Sequence, residues 1–109
     1  MTPGIRQISV VDLKQRLDRG EKPVILDVRE PWEVELARGP ATVLIPLNEI
    51  PLRLKELDAG TEIIAMCKLG GRSQRAAEYL SGQGFPNVSN LTGGIAAWSR
   101  EIDPSVPAY

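Results

Sequence analysis

Glu62-Ile63-Ile64-Ala65-Met66-Cys67-Lys68-Leu69-Gly70-Gly71-Arg72-Ser73 is the stretch that decides how this chain reads. An apolar run stops at Cys67, and a glycine-rich, cationic loop begins. The order reads as a strand, a tight loop and the start of a helix. A thiol placed there faces backbone N–H groups, a helix N-terminus and two fixed positive charges, and each of these favours the thiolate. The chain has no histidine. If Cys67 reacts, loop geometry and cationic side chains must activate it.

Outward from that stretch, strand and helix signals alternate. Met1-Thr2-Pro3-Gly4 reads as a linker end, within a linker-like start over residues 1–6, and Ile8 as a short strand or lead-in. Ser9 with Asp12 three residues on resembles a capping box, which predicts a helix over Val10 to Asp18 stopped by Gly20. Pro23 to Val28 is a continuous apolar run, the pattern of a strand buried on both faces. Pro31 opens a short helix through Leu36, and Gly39-Pro40 breaks it. Val43-Leu44-Ile45 is a third apolar run. Leu47 to Leu57 carries a helical pattern interrupted by Pro51.

Thr61 to Met66 is the strand that delivers Cys67. Ser73 to Leu80 is a predicted helix with Ala76, Ala77 and Leu80 inside, closed by Gly82 and Gly84. Val88 to Leu91 is a last strand. Gly93-Gly94 turns into a helix through Trp98 to Glu101, and residues 103–109 form an extended tail. The alternation predicts an α/β fold: one domain over residues 1–109, with a mostly parallel five-stranded sheet and helices on both faces. Sites in such sheets form at the carboxyl ends of strands, where Cys67 lies.

Composition narrows the function. The 109 residues carry a net charge of −1, which argues against a nucleic-acid-binding face. No apolar run is long enough for a membrane span, and no signal or transit segment is visible. One cysteine excludes an internal disulfide and points to a reducing, cytoplasmic setting. With no histidine and a single cysteine, a zinc or copper site is disfavoured, and no metal or organic cofactor is expected.

A buried, inert cysteine is the plain alternative at a strand end. The residues that follow argue against it. Gly70-Gly71 lets the backbone curl so that the N–H groups of Lys68 through Ser73, Leu69 included, make an anion nest. Ser73 is placed to cap the next helix. Arg72 projects a planar charged fork toward an oxyanion or perthiolate, and Lys68 adds a second positive charge. Cys67 and Arg72 therefore stand as the candidate catalytic pair, with Lys68, Leu69, Gly70, Gly71 and Ser73 as the anion-binding set. Four residues separate Cys67 from Arg72. Tyrosine-phosphatase-like loops use one more, so this cradle suits a sulfur atom better than a phosphate group.

These segments together resemble the rhodanese-like sulfurtransferases of single-domain type, from about Ile8 to Tyr109. The resemblance is carried by Leu26-Asp27-Val28-Arg29-Glu30, by the Cys67 to Ser73 loop, and by Leu91-Thr92-Gly93-Gly94-Ile95-Ala96-Ala97-Trp98. It implies a rhodanese-like fold and a sulfurtransferase that carries sulfane sulfur as a persulfide on Cys67. The implied donor is thiosulfate, a mercapto acid or a protein persulfide. The ending Asp103-Pro104-Ser105-Val106-Pro107-Ala108-Tyr109 resembles the C-terminus of fused adenylyltransferase and rhodanese enzymes. That implies a ubiquitin-like sulfur carrier protein as acceptor, in molybdopterin- or thiamine-type pathways. One segment departs from the pattern. Where the family reads Gly-His-Ile-Pro-Gly-Ala, this chain has Ala37-Arg38-Gly39-Pro40-Ala41-Thr42, which changes a loop remote in sequence from the cysteine.

The remaining polar residues have plainer readings. Asp27 and Arg29 stand at a strand end, but a carboxylate beside a thiolate opposes its ionisation, so Asp27 is expected to bond backbone amides or pair with an arginine to hold neighbouring loops. Trp32 and Trp98 read as core or pocket-wall aromatics. Arg53, Lys55, Glu56 and Asp58 read as a solvated face, and Arg75 as a contributor to the positive field or a solvent-facing charge. Two rival functions share the fold: a phosphatase or arsenate reductase, and a non-catalytic rhodanese-type binding module.

Overall fold

Strand β4 (Ile63–Met66) is buried along its whole length and occupies the middle of a five-stranded sheet of order β1-β5-β4-β2-β3. The computed structural model describes residues 4–109. The partners of β4 are β2 (Val24–Asp27) and β5 (Val88–Leu91); β3 (Val43–Leu44) and β1 (Arg6–Ile8) form the edges. All four pairings are parallel, so the sheet is fully parallel and not just mostly so. Parallel strands need crossovers that cover both faces of the sheet, which is why β4 and β2 read as unbroken apolar runs.

The period-two alternation of the strands divides the core. Ile63, Ala65 and Cys67 point to one face with Leu26 and Val28, against Ala76, Ala77 and Leu80 of α3 (Gly71–Gly82) and Ile50. Ile64, Met66 and Ile25 point to the other. There they meet Val10 and Leu13 of α1 (Val10–Asp18) and Ile95, Ala97 and Trp98 of α4 (Gly94–Glu101).

Most expected elements are present. Ser9 caps α1 by accepting the Asp12 N–H at 3.0 Å, and Gly20 ends the segment in the left-handed region at φ +85°. In α2 (Pro31–Leu36), Pro31 takes the first turn and Glu30 and Glu33 close a reciprocal capping box.

Four expectations need correction. Leu47–Leu52 and Leu54–Glu56 are 3₁₀ segments, since Pro51 supplies no N–H to an α-helical ladder. Helix α3 starts at Gly71, two residues before Ser73, because Gly70 at φ +110° turns the chain into it. Arg6, placed in the linker-like start, pairs with β5 as part of β1; Met1–Pro3 lie outside the described residues. The tail over 103–109 is folded back: Val106 donates to the Asp103 carbonyl at 3.0 Å and is buried against the α1/α4 layer.

Candidate active site

The sheet presents Cys67 at the carboxyl end of its central strand, and α3 begins four residues later. The side chain is 1% exposed. Its Sγ accepts the Gly70 N–H at 3.1 Å and the Ser73 N–H at 3.4 Å, and lies 3.3 Å from Ser73 Oγ. The Ser73 amide belongs to the first turn of α3, where N–H groups have no partner within the helix. The helix thus directs its positive end at the sulfur. Burial pushes the Cys67 thiol up, but hydrogen bonds from the Ser73 hydroxyl and from the Ser73, Gly70 and Leu69 amides outweigh it. The net shift is below the ordinary 9.0.

Ser73 does not cap α3. It is fully buried inside the first turn, and its hydroxyl is shared between Cys67 and Asn90 Oδ1, 2.6 Å away. The hydroxyl has one proton. When the thiol is protonated, S–H donates to Ser73 Oγ while Ser73 donates to Asn90. When the thiolate forms, the Ser73 proton can swing to sulfur. Asn90 is itself fixed by Nδ2 donation to Gln7 Oε1 at 2.9 Å and to the Gly70 carbonyl at 3.3 Å.

Helix α4 holds the loop from the other side. Ile95 and Ala96 donate their N–H groups to the Cys67 and Lys68 carbonyls at 2.9 and 3.1 Å. This approach needs glycine: a Cβ on Gly94 would lie 2.4 Å from the Cys67 carbonyl oxygen and 2.6 Å from that of Lys68, at φ +55°. Gly94 therefore serves the cysteine loop directly, while a Cβ on Gly93 would meet Ala97. Of the loop glycines, Gly70 is left-handed, while a Cβ on Gly71 would meet open space.

Arg72 does not reach out as a free fork. Both terminal nitrogens donate to Glu33, Nη1 to Oε2 at 2.7 Å and Nη2 to Oε1 at 2.8 Å. Glu33 is buried, and Tyr109 donates its hydroxyl to Oε1 at 3.0 Å. The pairing with Arg72, opposed by burial, lowers the Glu33 carboxyl from the ordinary 4.5 to about 2. Sequence reading missed Glu33 and Tyr109. The signal for Glu33 was its place three residues after Glu30, where a capping box needs an acid. Lys68 is half-buried, with its ammonium 4.5 Å from the centre of the Tyr109 ring. Leu69 is exposed. A cleft of about 360 Å³ between α4 and the tail borders the loop at Lys68, with Ile95, Ala96, Arg100 and Tyr109 in its walls.

A depressed carboxylate stabilises the fold above its unfolded pKa and loses that contribution as pH falls through the folded value. The Glu33–Arg72 contribution is therefore present above about pH 4.5 and lost toward pH 2. Glu33→Gln should be less stable than the parent at pH 7, with the gap closing across that window. Urea titrations at pH 7, 4 and 2.5 check it, and a gap that stays constant would refute it.

Asp27 and Arg29 take the structural part expected of them. Arg29 is fully buried and grips Asp27 through Nε and Nη2, the latter 2.7 Å from Oδ2. Trp98 is a core aromatic, but Trp32 is 60% exposed, with its ring edge-on to Tyr109. Arg38 and Arg75 are exposed, and Arg53 pairs with Glu49 and Glu56 on the solvated face.

Comparison with known proteins places this geometry. Residues 9–101 match the Rhodanese-like domain, and the chain belongs to that family. It is 35% identical over 102 residues to a protein of Allochromatium vinosum named Sulfurtransferase, covering 94% of this chain and 95% of that one. It is 36% identical to Rhodanese-like/PpiC domain-containing protein 12 of Arabidopsis thaliana, covering 96% of this chain and 38% of the relative. A maize protein, Adenylyltransferase and sulfurtransferase MOCS3-2, is 32% identical over 98% of this chain and 24% of its own length. The chain thus spans under half of those two plant relatives. Among solved structures, a rhodanese-related protein from Thermoplasma volcanium superposes with a TM-score of 0.80 at 32% identity, covering 89% of this chain and 93% of that one. The relationship supports sulfur transfer as the general activity.

Proposed function

We propose that the protein moves sulfane sulfur, with Cys67 as the atom that carries it. The observation that supports this reading best is the placement of Sγ within reach of the Gly70 and Ser73 amides at the start of α3. That arrangement stabilises a thiolate, and no histidine base is required. With thiosulfate as donor, the Cys67 thiolate attacks the outer sulfur. A sulfur–sulfur bond forms, the sulfane–sulfonate bond breaks, and sulfite leaves with the electron pair. The persulfide anion inherits the amide donors, which already face the developing charge. A nucleophile such as cyanide then attacks the outer sulfur, releasing thiocyanate and restoring the thiolate.

Arg72 enters this scheme as an electrostatic support held by Glu33, and Lys68 as the cation that meets an anionic donor. The physiological acceptor we propose is the adenylated C-terminus of a ubiquitin-like carrier protein, drawn from the tail resemblance and the named activities of the maize relative. The persulfide attacks the acyl carbon and expels AMP. With one cysteine in the chain, an external thiol attacks the Cys67 sulfur of the resulting acyl disulfide and expels the thiocarboxylate; a second thiol equivalent reduces the mixed disulfide left on Cys67 and restores the thiolate.

Thiosulfate and cyanide supply the test. Thiocyanate should form with multiple turnovers, and intact mass should show one added sulfur on the chain before cyanide is added. No turnover together with no added sulfur would overturn the reading. An aryl phosphate serves as the control and should not be hydrolysed.

A further inference from the structure

Tyr109 touches three charged residues around the loop. Its hydroxyl donates to Glu33 Oε1 and accepts from Arg29 Nη1, both at 3.0 Å. Its ring lies under the Lys68 ammonium at 4.5 Å, and Trp32 packs edge-on against it at 6.4 Å. The segment that delivers it is fixed, with Val106 buried and its carbonyl accepting the Ser99 hydroxyl. The two loop cations differ in their partners. Arg72 is neutralised by Glu33, whereas among the described residues Lys68 has no carboxylate within ion-pair distance. The uncompensated charge beside Cys67 is therefore the one held by the aromatic ring.

We propose that Tyr109 is a positioning residue for sulfur transfer: its ring holds the Lys68 ammonium at the loop to meet anionic donors, and its hydroxyl steadies the Glu33–Arg72 pair. The proposal rests on Cys67 being the sulfur-bearing thiol. A flexible lysine samples many rotamers, and an aromatic face that attracts its ammonium confines it to one region. Glu33 accepts from two Arg72 nitrogens and from the Glu30 N–H, and the Tyr109 hydroxyl is the remaining donor on Oε1, which helps fix the plane of the fork.

The test uses the full chain and the variants Tyr109→Phe, Tyr109→Leu, Lys68→Met and the double variant Lys68→Met/Tyr109→Leu. Two readouts are taken: KM and kcat for thiosulfate, and the rate of Cys67 alkylation by anionic iodoacetate relative to neutral iodoacetamide. Tyr109→Leu should raise KM about 2- to 5-fold and lower the alkylation ratio by a similar factor. The double variant should lose no more than Lys68→Met alone. Tyr109→Phe keeps the ring, so KM and the ratio should stay at the parent values while kcat falls.

A Tyr109→Leu variant that loses thermal stability but keeps both parent values would make Tyr109 a tail anchor only and overturn the proposal. So would losses that add to those of Lys68→Met. If Tyr109→Leu does not fold, Lys68→Met and Tyr109→Phe decide: an unchanged KM in Lys68→Met, or a raised KM in Tyr109→Phe, overturns it. The alkylation ratio does not depend on turnover. A parent chain that transfers no sulfur yet shows a Tyr109-dependent ratio sinks the functional reading and leaves the positioning intact.

Discussion

Cys67→Ala is expected to reduce thiosulfate-dependent thiocyanate formation to the uncatalysed background, a loss of roughly 10³-fold or more. The chain offers no second thiol and no histidine, so no other side chain can accept the sulfur in its place. The variant should also show no added sulfur by intact mass. Its fold should survive, since alanine at a buried cysteine removes one atom from a well-packed site and costs on the order of 1 kcal/mol. Cys67→Ser sharpens the result. Its oxygen can still accept the Gly70 and Ser73 amides, so loop geometry is preserved. A hydroxyl, however, is far less acidic than a thiol and makes a poor nucleophile without a base. If Cys67→Ser kept a tenth of the parent activity, sulfur would be travelling by another route.

How far the sequence could lead depended on the range of the interaction. Cys67, its strand and its glycine loop lie within a dozen residues, and their chemistry is local, so composition and spacing exposed them. For Asp27 and Arg29, two residues apart, electrostatics alone favoured a structural role over a base, and the structure makes them a pair. A mostly parallel sheet was legible from apolar runs that only a doubly covered strand can carry, and the structure makes every pairing parallel. Glu33, Arg72 and Tyr109 were beyond reach as a set, because they meet only through the tertiary fold, 39 and 76 positions apart. Ser73 misled for a related reason. A serine before a helical pattern normally caps it, but the left-handed Gly70 starts the helix earlier and turns the hydroxyl inward toward Cys67. For Trp32 the core alternative fails: large aromatics are usually buried, whereas this one is exposed and stands beside Tyr109.

Arg29→Met should give the largest loss of stability among single changes near the site, about 3–5 kcal/mol. Both members of the Asp27–Arg29 pair are buried, at 1% and 0% exposure. Every polar atom of the guanidinium is used: Nε and Nη2 on Asp27, Nη2 on the Ala37 carbonyl at 2.9 Å, and Nη1 on Tyr109 and the Glu33 carbonyl. Methionine matches much of the side-chain volume but satisfies none of these groups. Asp27 would keep only the backbone N–H of residue 29, 3.0 Å from Oδ1, against a buried charge. The damage reaches the site, because Arg29 ties β2 to the segment after α2 and to the tail that presents Tyr109. The melting temperature should fall by about 12 °C or more, and sulfur transfer should weaken with it. The double variant Asp27→Asn/Arg29→Met tests the cause. Removing the stranded charge should recover part of the stability, since much of the penalty in the single variant is an unpaired carboxylate and not the lost attraction. A double variant less stable than Arg29→Met alone would mean that the contacts of Arg29 with Ala37, Glu33 and Tyr109, and not the pairing with Asp27, hold this end of the sheet together.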